Sequence, residues 1–155
     1  MIVVSDTSPI NYLLLINQVD LLPRLFERII IPEAVSEEML ASGSPLTVQK
    51  WIKNSPPWLE IQAVFTLDSS LSRLDLGEQA AITLAQTLPA DLLLIDERLG
   101  RKEANERSIP IIGTLGILDE AARQGWIDLR ETIAQLQQTN FRISPRLIQT
   151  LLNNQ

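Results

Sequence analysis

Four carboxylates in this chain of 155 residues stand at positions that an ordinary surface acid does not take. Asp6 and Asp96 are each the first acidic residue after a short apolar run, Ile2-Val-Val-Ser5 and Leu92-Leu-Leu-Ile95. In an open parallel sheet, ligands bind beyond the carboxyl ends of the strands, where the strand order changes direction. Two Asp residues placed there can face one crevice. Glu38 and Glu78 lie in helical segments instead. At about 100° per residue, the apolar face formed by Ile31, Ala34, Val35, Met39 and Ala41 centres within roughly 20° of Glu38, while Glu37 falls well outside it. Glu78 aligns in the same way with Ala81, Ile82 and Ala85. A charge leaning on an apolar face is unfavourable unless it is paired or coordinates a cation.

Each acid has a plainer explanation. Asp6 and Asp96 could cap the helices that follow, Glu38 could sit in a buried salt bridge, and Glu78 could complete a capping box with Asp75. Taken together, four converging acids raise one another's pKa and repel unless a cation neutralises them, and an all-oxygen set suits Mg²⁺ or Mn²⁺. The sequence contains no cysteine and no histidine. That excludes thiolate nucleophiles, Ser-His-Asp triads, imidazole bases and Cys/His zinc sites. Acids with a divalent ion and no histidine base are the equipment for metal-activated water attacking a phosphodiester in line.

The elements that would position these acids alternate along the chain. Ile2–Ser5 reads as a strand, and Ser8-Pro9 as an N-cap followed by a helix. A short apolar stretch, 21–26, precedes a strand at 28–31 and a helix at 33–41. A helix over 47–53, a breaker at Pro56-Pro57 and a short strand within 59–65 follow. Asp75 to Glu78 opens a helix through Leu88, a strand covers 92–95, a charged helix covers 97–106, and Ile109 to Ile112 forms the last strand. This order predicts an α/β fold with a mostly parallel sheet covered on both faces. One domain is expected, with a core at about 1–125 and a helical C-terminal extension at about 126–155. Apolar positions from Leu129 to Leu152 exceed what a solvated tail needs, so the extension packs on the domain or forms an interface.

The composition sets the conditions for any partner. Nineteen acidic against 13 basic residues leave a net charge of −6, which works against non-specific attraction to nucleic acid. Substrate attraction then falls to a local patch, with Arg98, Arg101, Lys102 and Arg107 as candidates. Glu97, Glu103 and Glu106 are interleaved with them, as on a solvated helix face. The N-terminus lacks the basic start and the apolar run of about 7–15 residues of a secretory signal. The longest apolar run, Tyr12 to Ile16, is far short of the roughly 20 residues of a membrane span. A cytoplasmic protein is expected.

The quoted segments also resemble a known family. Val3-Val-Ser-Asp-Thr-Ser8, Ile31-Pro-Glu-Ala-Val-Ser-Glu-Glu38, Leu76-Gly-Glu-Gln-Ala-Ala-Ile82 and Leu93-Leu-Ile-Asp96, in this order and spacing, resemble the PIN domain over nearly the whole chain. The likeness is greatest to small stand-alone bacterial PIN-like proteins, which share Gly113-Thr-Leu-Gly116 and Phe141-Arg-Ile-Ser-Pro145. The resemblance implies an acidic pocket for Mg²⁺ or Mn²⁺ in which Asp6, Glu38, Glu78 and Asp96 are the catalytic, metal-binding acids. It implies Ser8 as a polar residue supporting the pocket and Thr114 at the last strand end beside it. It further implies a ribonuclease, with many stand-alone members resembling VapC-like toxins that are usually homodimeric and inhibited by a small antitoxin. One feature departs from the pattern: Glu78 stands where many relatives have Asp; some relatives carry additional acids beside the last Asp, as Glu97 stands beside Asp96 here.

Three functions therefore compete. The first is a metal-dependent endoribonuclease, the toxin of a toxin–antitoxin pair. The second is a PIN-like module that binds RNA or protein without cutting, for which the acidic charge and Glu78 speak. A phosphoacceptor receiver domain is disfavoured, because Asp6 is followed by Thr7 rather than a second acid and Gly116 to Arg123 contains no Lys.

Overall fold

The computed structural model describes residues 1–155. Its five strands are β1 (Val3–Ser5), β2 (Ile29–Pro32), β3 (Leu59–Gln62), β4 (Leu92–Leu94) and β5 (Ile111–Ile112). Between and after them run α1 (Thr7–Leu15), α2 (Leu21–Phe26), α3 (Glu33–Leu40), α4 (Leu46–Lys53), α5 (Leu76–Thr87), α6 (Arg98–Glu106), α7 (Thr114–Arg123), α8 (Leu129–Gln137) and α9 (Pro145–Asn153). The strands form one sheet in the order β3-β2-β1-β4-β5, and every neighbouring pair is parallel. The sheet is thus wholly parallel rather than mostly so.

Alternate residues of each strand enter opposite layers, as a sheet buried on both faces requires. Val3, Ile29, Ile31 and Leu94 join the larger layer with α1, α2, α4, α7 and α8. Val4, Leu93 and Ile95 join the smaller one with α5, Leu71, Leu74 and Ala104 of α6. Leu129, Ile133 and Leu136 of α8 are part of the larger core. α9 contributes no fully buried residue and lays Ile148, Leu151 and Leu152 against that core from outside.

Strand order decides where a ligand can sit. After β1 the chain winds outward through β2 and β3, then returns to the other side of β1 as β4. The change of direction therefore falls between β1 and β4, and a crevice opens beyond their carboxyl ends. Asp6 follows β1 directly, and its N–H donates to Leu94 O at 2.9 Å. Asp96 follows β4 two residues on.

The beginning of α1 differs from the expected one. Thr7 is already helical and Asp6 is the N-cap residue, so Ser8 is not a cap and Pro9 is the third helical residue. Pro is tolerated there because the first-turn amides have no intrahelical acceptor. The third strand stops at Gln62 rather than reaching Phe65.

Candidate functional site

The crevice is a cleft of about 590 Å³. Asp6, Glu38, Glu78 and Asp96 all line it, together with Asp75, Glu97, Thr7, Ser8, Asn11, Tyr12 and the C-terminal residues Asn140, Phe141 and Arg142. Six carboxylates and one cation, Arg142, meet in this space.

The capping explanation fails for both strand-end acids. Asp6 makes no side-chain cap bond, and α6 is preceded by Glu97, which leaves Asp96 outside the helix. Asp96 is held from β5's side instead. Its Oδ1 accepts the Thr114 N–H at 2.7 Å and its Oδ2 accepts the Thr114 hydroxyl at 2.7 Å. Thr114 is fully buried, so these charge-assisted bonds fix the carboxylate firmly. Gly113 makes the approach possible, because a Cβ there would stand 2.8 Å from Asp96 Oδ1.

Glu38 is half-buried, with no cation in contact, so the salt-bridge explanation fails too. Thr7 donates its hydroxyl to Glu38 Oε2, and Gly77 donates its N–H to Oε1 at 3.0 Å. α1, α3 and α5 are thereby tied together at the cleft. Gly77 is again required by space, since a Cβ would lie 2.6 Å from Glu38 Oε2.

Glu78 combines both readings. Asp75 Oδ1 accepts the Glu78 N–H at 2.8 Å, which is half of a capping box. The Glu78 carboxylate does not complete it: Oε2 is buried and has no hydrogen-bond partner. Asp6 Oδ1 is equally buried and equally unpartnered. Burial pushes the Asp6 carboxyl up to about 7, and the charges of Asp75, Glu38 and Asp96 add to it while the Thr7 amide opposes it. Burial likewise pushes Glu78 up to about 8, helped by Asp75 and then Asp6.

These groups fit a divalent cation by their chemistry. All donors are oxygens, and two buried carboxylate oxygens, Asp6 Oδ1 and Glu78 Oε2, have no donor opposite them. No three acids are preassembled into a set that could hold an ion, and Glu38 and Asp96 are each engaged by local donors.

The supporting and basic residues are distributed differently from the sequence expectation. Ser8 lines the cleft but makes no side-chain bond to the acids, and its neighbour Thr7 does so. Of the basic candidates, only Arg101 lines the acid cleft or the one beside it. α6 turns Gly100 and Ala104 inward. At about 100° per residue, Arg98 and Lys102 point to the opposite side, and both are exposed. Arg107 is a structural clamp that bonds Asp68 at 2.9 Å, Gln86 at 3.0 Å and Ser70 at 2.6 Å.

Sequence reasoning missed one polar stripe. Thr7, Ser8, Asn11, Tyr12 and Leu15 share one side of α1 and line the cleft, while Pro9, Ile10, Leu13 and Leu14 are buried. The projection that turned Glu38 inward would have found it. Tyr12 holds the C-terminal loop in place: its hydroxyl donates to Asn140 Oδ1 at 2.7 Å, and its ring meets Phe141 edge-on at 4.8 Å.

Comparison with known proteins agrees with this architecture. No helix is long and apolar enough to cross a membrane. No curated protein is significantly similar in sequence. Among solved structures, the chain is similar to a PilT N-terminus domain protein, SSO1118, from the hyperthermophilic archaeon Sulfolobus solfataricus P2. The TM-score is 0.54 at 16% identity, over 93% of this chain and 100% of that one. The family description PIN domain (DUF3368) matches residues 2–155. The chain therefore belongs to the PIN domain family, whose members are typically metal-dependent nucleases.

Proposed function

We propose that this protein is an Mg²⁺- or Mn²⁺-dependent endoribonuclease and the toxin component of a toxin–antitoxin pair. The observation that carries the reading is the meeting of Asp6, Glu38, Glu78 and Asp96 at the sheet's change of direction, with buried oxygens of Asp6 and Glu78 lacking any donor. Asp6, Glu38, Glu78 and Asp96 would hold such an ion, and it would supply Lewis-acid activation for phosphodiester hydrolysis.

The protein's own part is to hold the anions in place. Thr114 orients Asp96, while Thr7 and the Gly77 amide orient Glu38. Asp6 and Glu78, buried and raised, keep protons that a cation must displace, so affinity for the ion rises with pH. Asn11, on the half-buried α1 stripe, lines the cleft where its side chain would meet the substrate. A small antitoxin and a second copy of the chain belong to this reading as partners.

A second reading, RNA binding without cleavage, is favoured by one observation: no three acids stand ready-made as an ion cage. Cleavage of a mixed RNA pool with Mn²⁺ by wild type, Asp6→Asn and Asp96→Asn separates the two. The nuclease reading expects cleavage that each variant abolishes while remaining folded. Cleavage that survives both substitutions refutes it. Binding with no cleavage of any RNA, alongside unaltered unfolding in Mn²⁺, assigns the non-cutting role.

A further inference from the structure

Beside the acid cleft lies a second one of about 380 Å³, between the end of β5, the start of α7 and α9. The two clefts are continuous, because Asp96, Phe141 and Arg142 line both. Their only cations are Arg142 and Arg101, and neither has a carboxylate partner. In a chain with a net charge of −6, two arginines without ion-pair partners at one junction are available to an anion from outside. The rest of the second cleft is largely apolar, with Leu115, Leu147 and Leu151 beside the Phe141 ring.

The loop that presents Arg142 is built to hold it. Thr139 donates its hydroxyl to Leu136 O at 2.6 Å and accepts the Phe141 N–H at 3.1 Å. Asn140 and Phe141 are pinned to Tyr12 of α1, the helix that begins directly after Asp6. Ser144 then accepts the Leu147 N–H at 3.1 Å and starts α9. Arg101 is placed through Gly113: a Cβ there would stand 2.7 Å from Arg101 Nη1 and 2.8 Å from Asp96 Oδ1. The bare glycine lets a cation and an anion flank one point at the mouth of the acid cleft.

We propose that Arg142 and Arg101 grip a backbone phosphate of single-stranded RNA next to the acid cleft, and that the adjoining nucleoside lies in the second cleft against Phe141 and the leucines. Guanidinium forks match phosphate oxygens, and an aromatic edge with aliphatic walls accepts a base of any identity. The subsite rests on the RNA-binding part of the proposed function, and under the nuclease reading it would set the register of the strand across Asp6 and Asp96.

Fluorescence anisotropy with a fluorescein-labelled, randomised 12-nucleotide RNA tests it. The titration is run in EDTA over a salt series, so neither metal nor cleavage enters the readout. Arg142→Ala is expected to weaken binding about 5- to 20-fold and to flatten the salt slope by about 0.7, one phosphate contact on a single strand. Arg142→Lys should recover the slope but only part of the affinity, because a point charge lacks the fork. Arg146→Ala, on exposed α9 and outside both clefts, serves as the control and should bind as wild type does. Arg142 is exposed and bonds nothing in the protein, so its variants should unfold at the wild-type temperature.

The proposal is overturned if wild type does not bind the probe, or if Arg142→Ala matches Arg146→Ala in affinity and slope. Equal displacement of the RNA by an Asp-rich peptide of the same charge would assign the cleft to a protein partner and overturn it as well. Arg142-dependent binding without Mn²⁺-dependent cleavage would sink the nuclease reading and leave this subsite standing.

Discussion

Replacing Asp6 with Asn should make the metal-free protein more stable, by an amount that grows as pH rises above about 4 and is complete above about 7. The folded Asp6 carboxyl keeps its proton up to about 7, whereas the same group in an unfolded chain loses it near 3.8. Between those values the folded state binds more protons, so stability falls as pH rises through the window and levels off above it. A rise of about 3 units corresponds to about 4 kcal/mol at roughly 1.4 kcal/mol per unit, which is a ceiling before side chains and water relax. Half of that, about 2 kcal/mol, is the working expectation, or about 4–8 °C in unfolding temperature for a chain of this size. Asn retains an oxygen for the Thr7 amide, and its NH₂ can face the neighbouring acids. Relief extends to Glu78, because the Asp6 charge is among the causes that raise it. The assay is thermal unfolding by circular dichroism in EDTA at pH 4 and pH 8, repeated with Mn²⁺ at pH 8. Asp6→Asn should match wild type at pH 4, exceed it at pH 8, and lose the stabilisation that Mn²⁺ gives wild type. Equal stability at pH 8, or a gain of the same size at both pH values, would refute the argument that a buried, repelled carboxylate sits at this strand end.

Asp96→Asn should behave oppositely. From the sequence alone, mutual repulsion among the acids predicts that Asp96→Asn is more stable than wild type in EDTA, but Asp96 accepts two bonds from Thr114, so the variant should unfold earlier, by about 1–2 kcal/mol, in the same assay. Gly77→Ala should displace Glu38 and break its bond from the Gly77 amide, lowering Mn²⁺ affinity at least several-fold by calorimetric titration while the sheet stays intact by circular dichroism. Arg107→Ala should lower the unfolding temperature without changing RNA binding or cleavage. Since Arg107 and Ser70 hold the Asp68 carboxyl down at about 2, the stabilisation that Asp68 gives wild type is present above pH 4 and lost as pH falls towards 2.

The strand-end acids were legible because a parallel sheet has one functional edge, and an acid directly after an apolar strand is delivered to it. Glu38 was legible for a different reason: three residues after Val35 and one before Met39, at about 100° per residue, it falls on the apolar face that Glu37 misses, and an inward acid needs a donor or a cation. What the periodicity could not show was the identity of the donors. Thr7 rather than Ser8 reaches Glu38 because Asp6 occupies the N-cap and the helix starts two residues earlier than Ser8-Pro9 suggests. A cap assignment wrong by two residues rotates the first turn by about 200°, which is enough to exchange the residue that supports the site for its neighbour.

The basic residues show where local pattern loses its reach. Arg98, Arg101, Lys102 and Arg107 are equivalent in composition, yet one flanks Asp96, one braces the Asp68 turn and two point to solvent. Their fates depend on which face of α6 meets α5, and α6 announces this only through two small residues, Gly100 and Ala104. Arg142 lies 136 positions beyond Asp6 (142 − 6) in a stretch with no helical or strand periodicity to place it. Only the fold brings it to the acids, through the Tyr12 hydroxyl and ring on the first helix and the capped start of the last. The acids are assembled by the regular part of the structure, where backbone hydrogen bonding dictates register. The cation that faces them is supplied by a loop held by its own side-chain caps and by Tyr12, outside the strand ladder, so charge selectivity at this cleft can change without disturbing the sheet that carries the carboxylates.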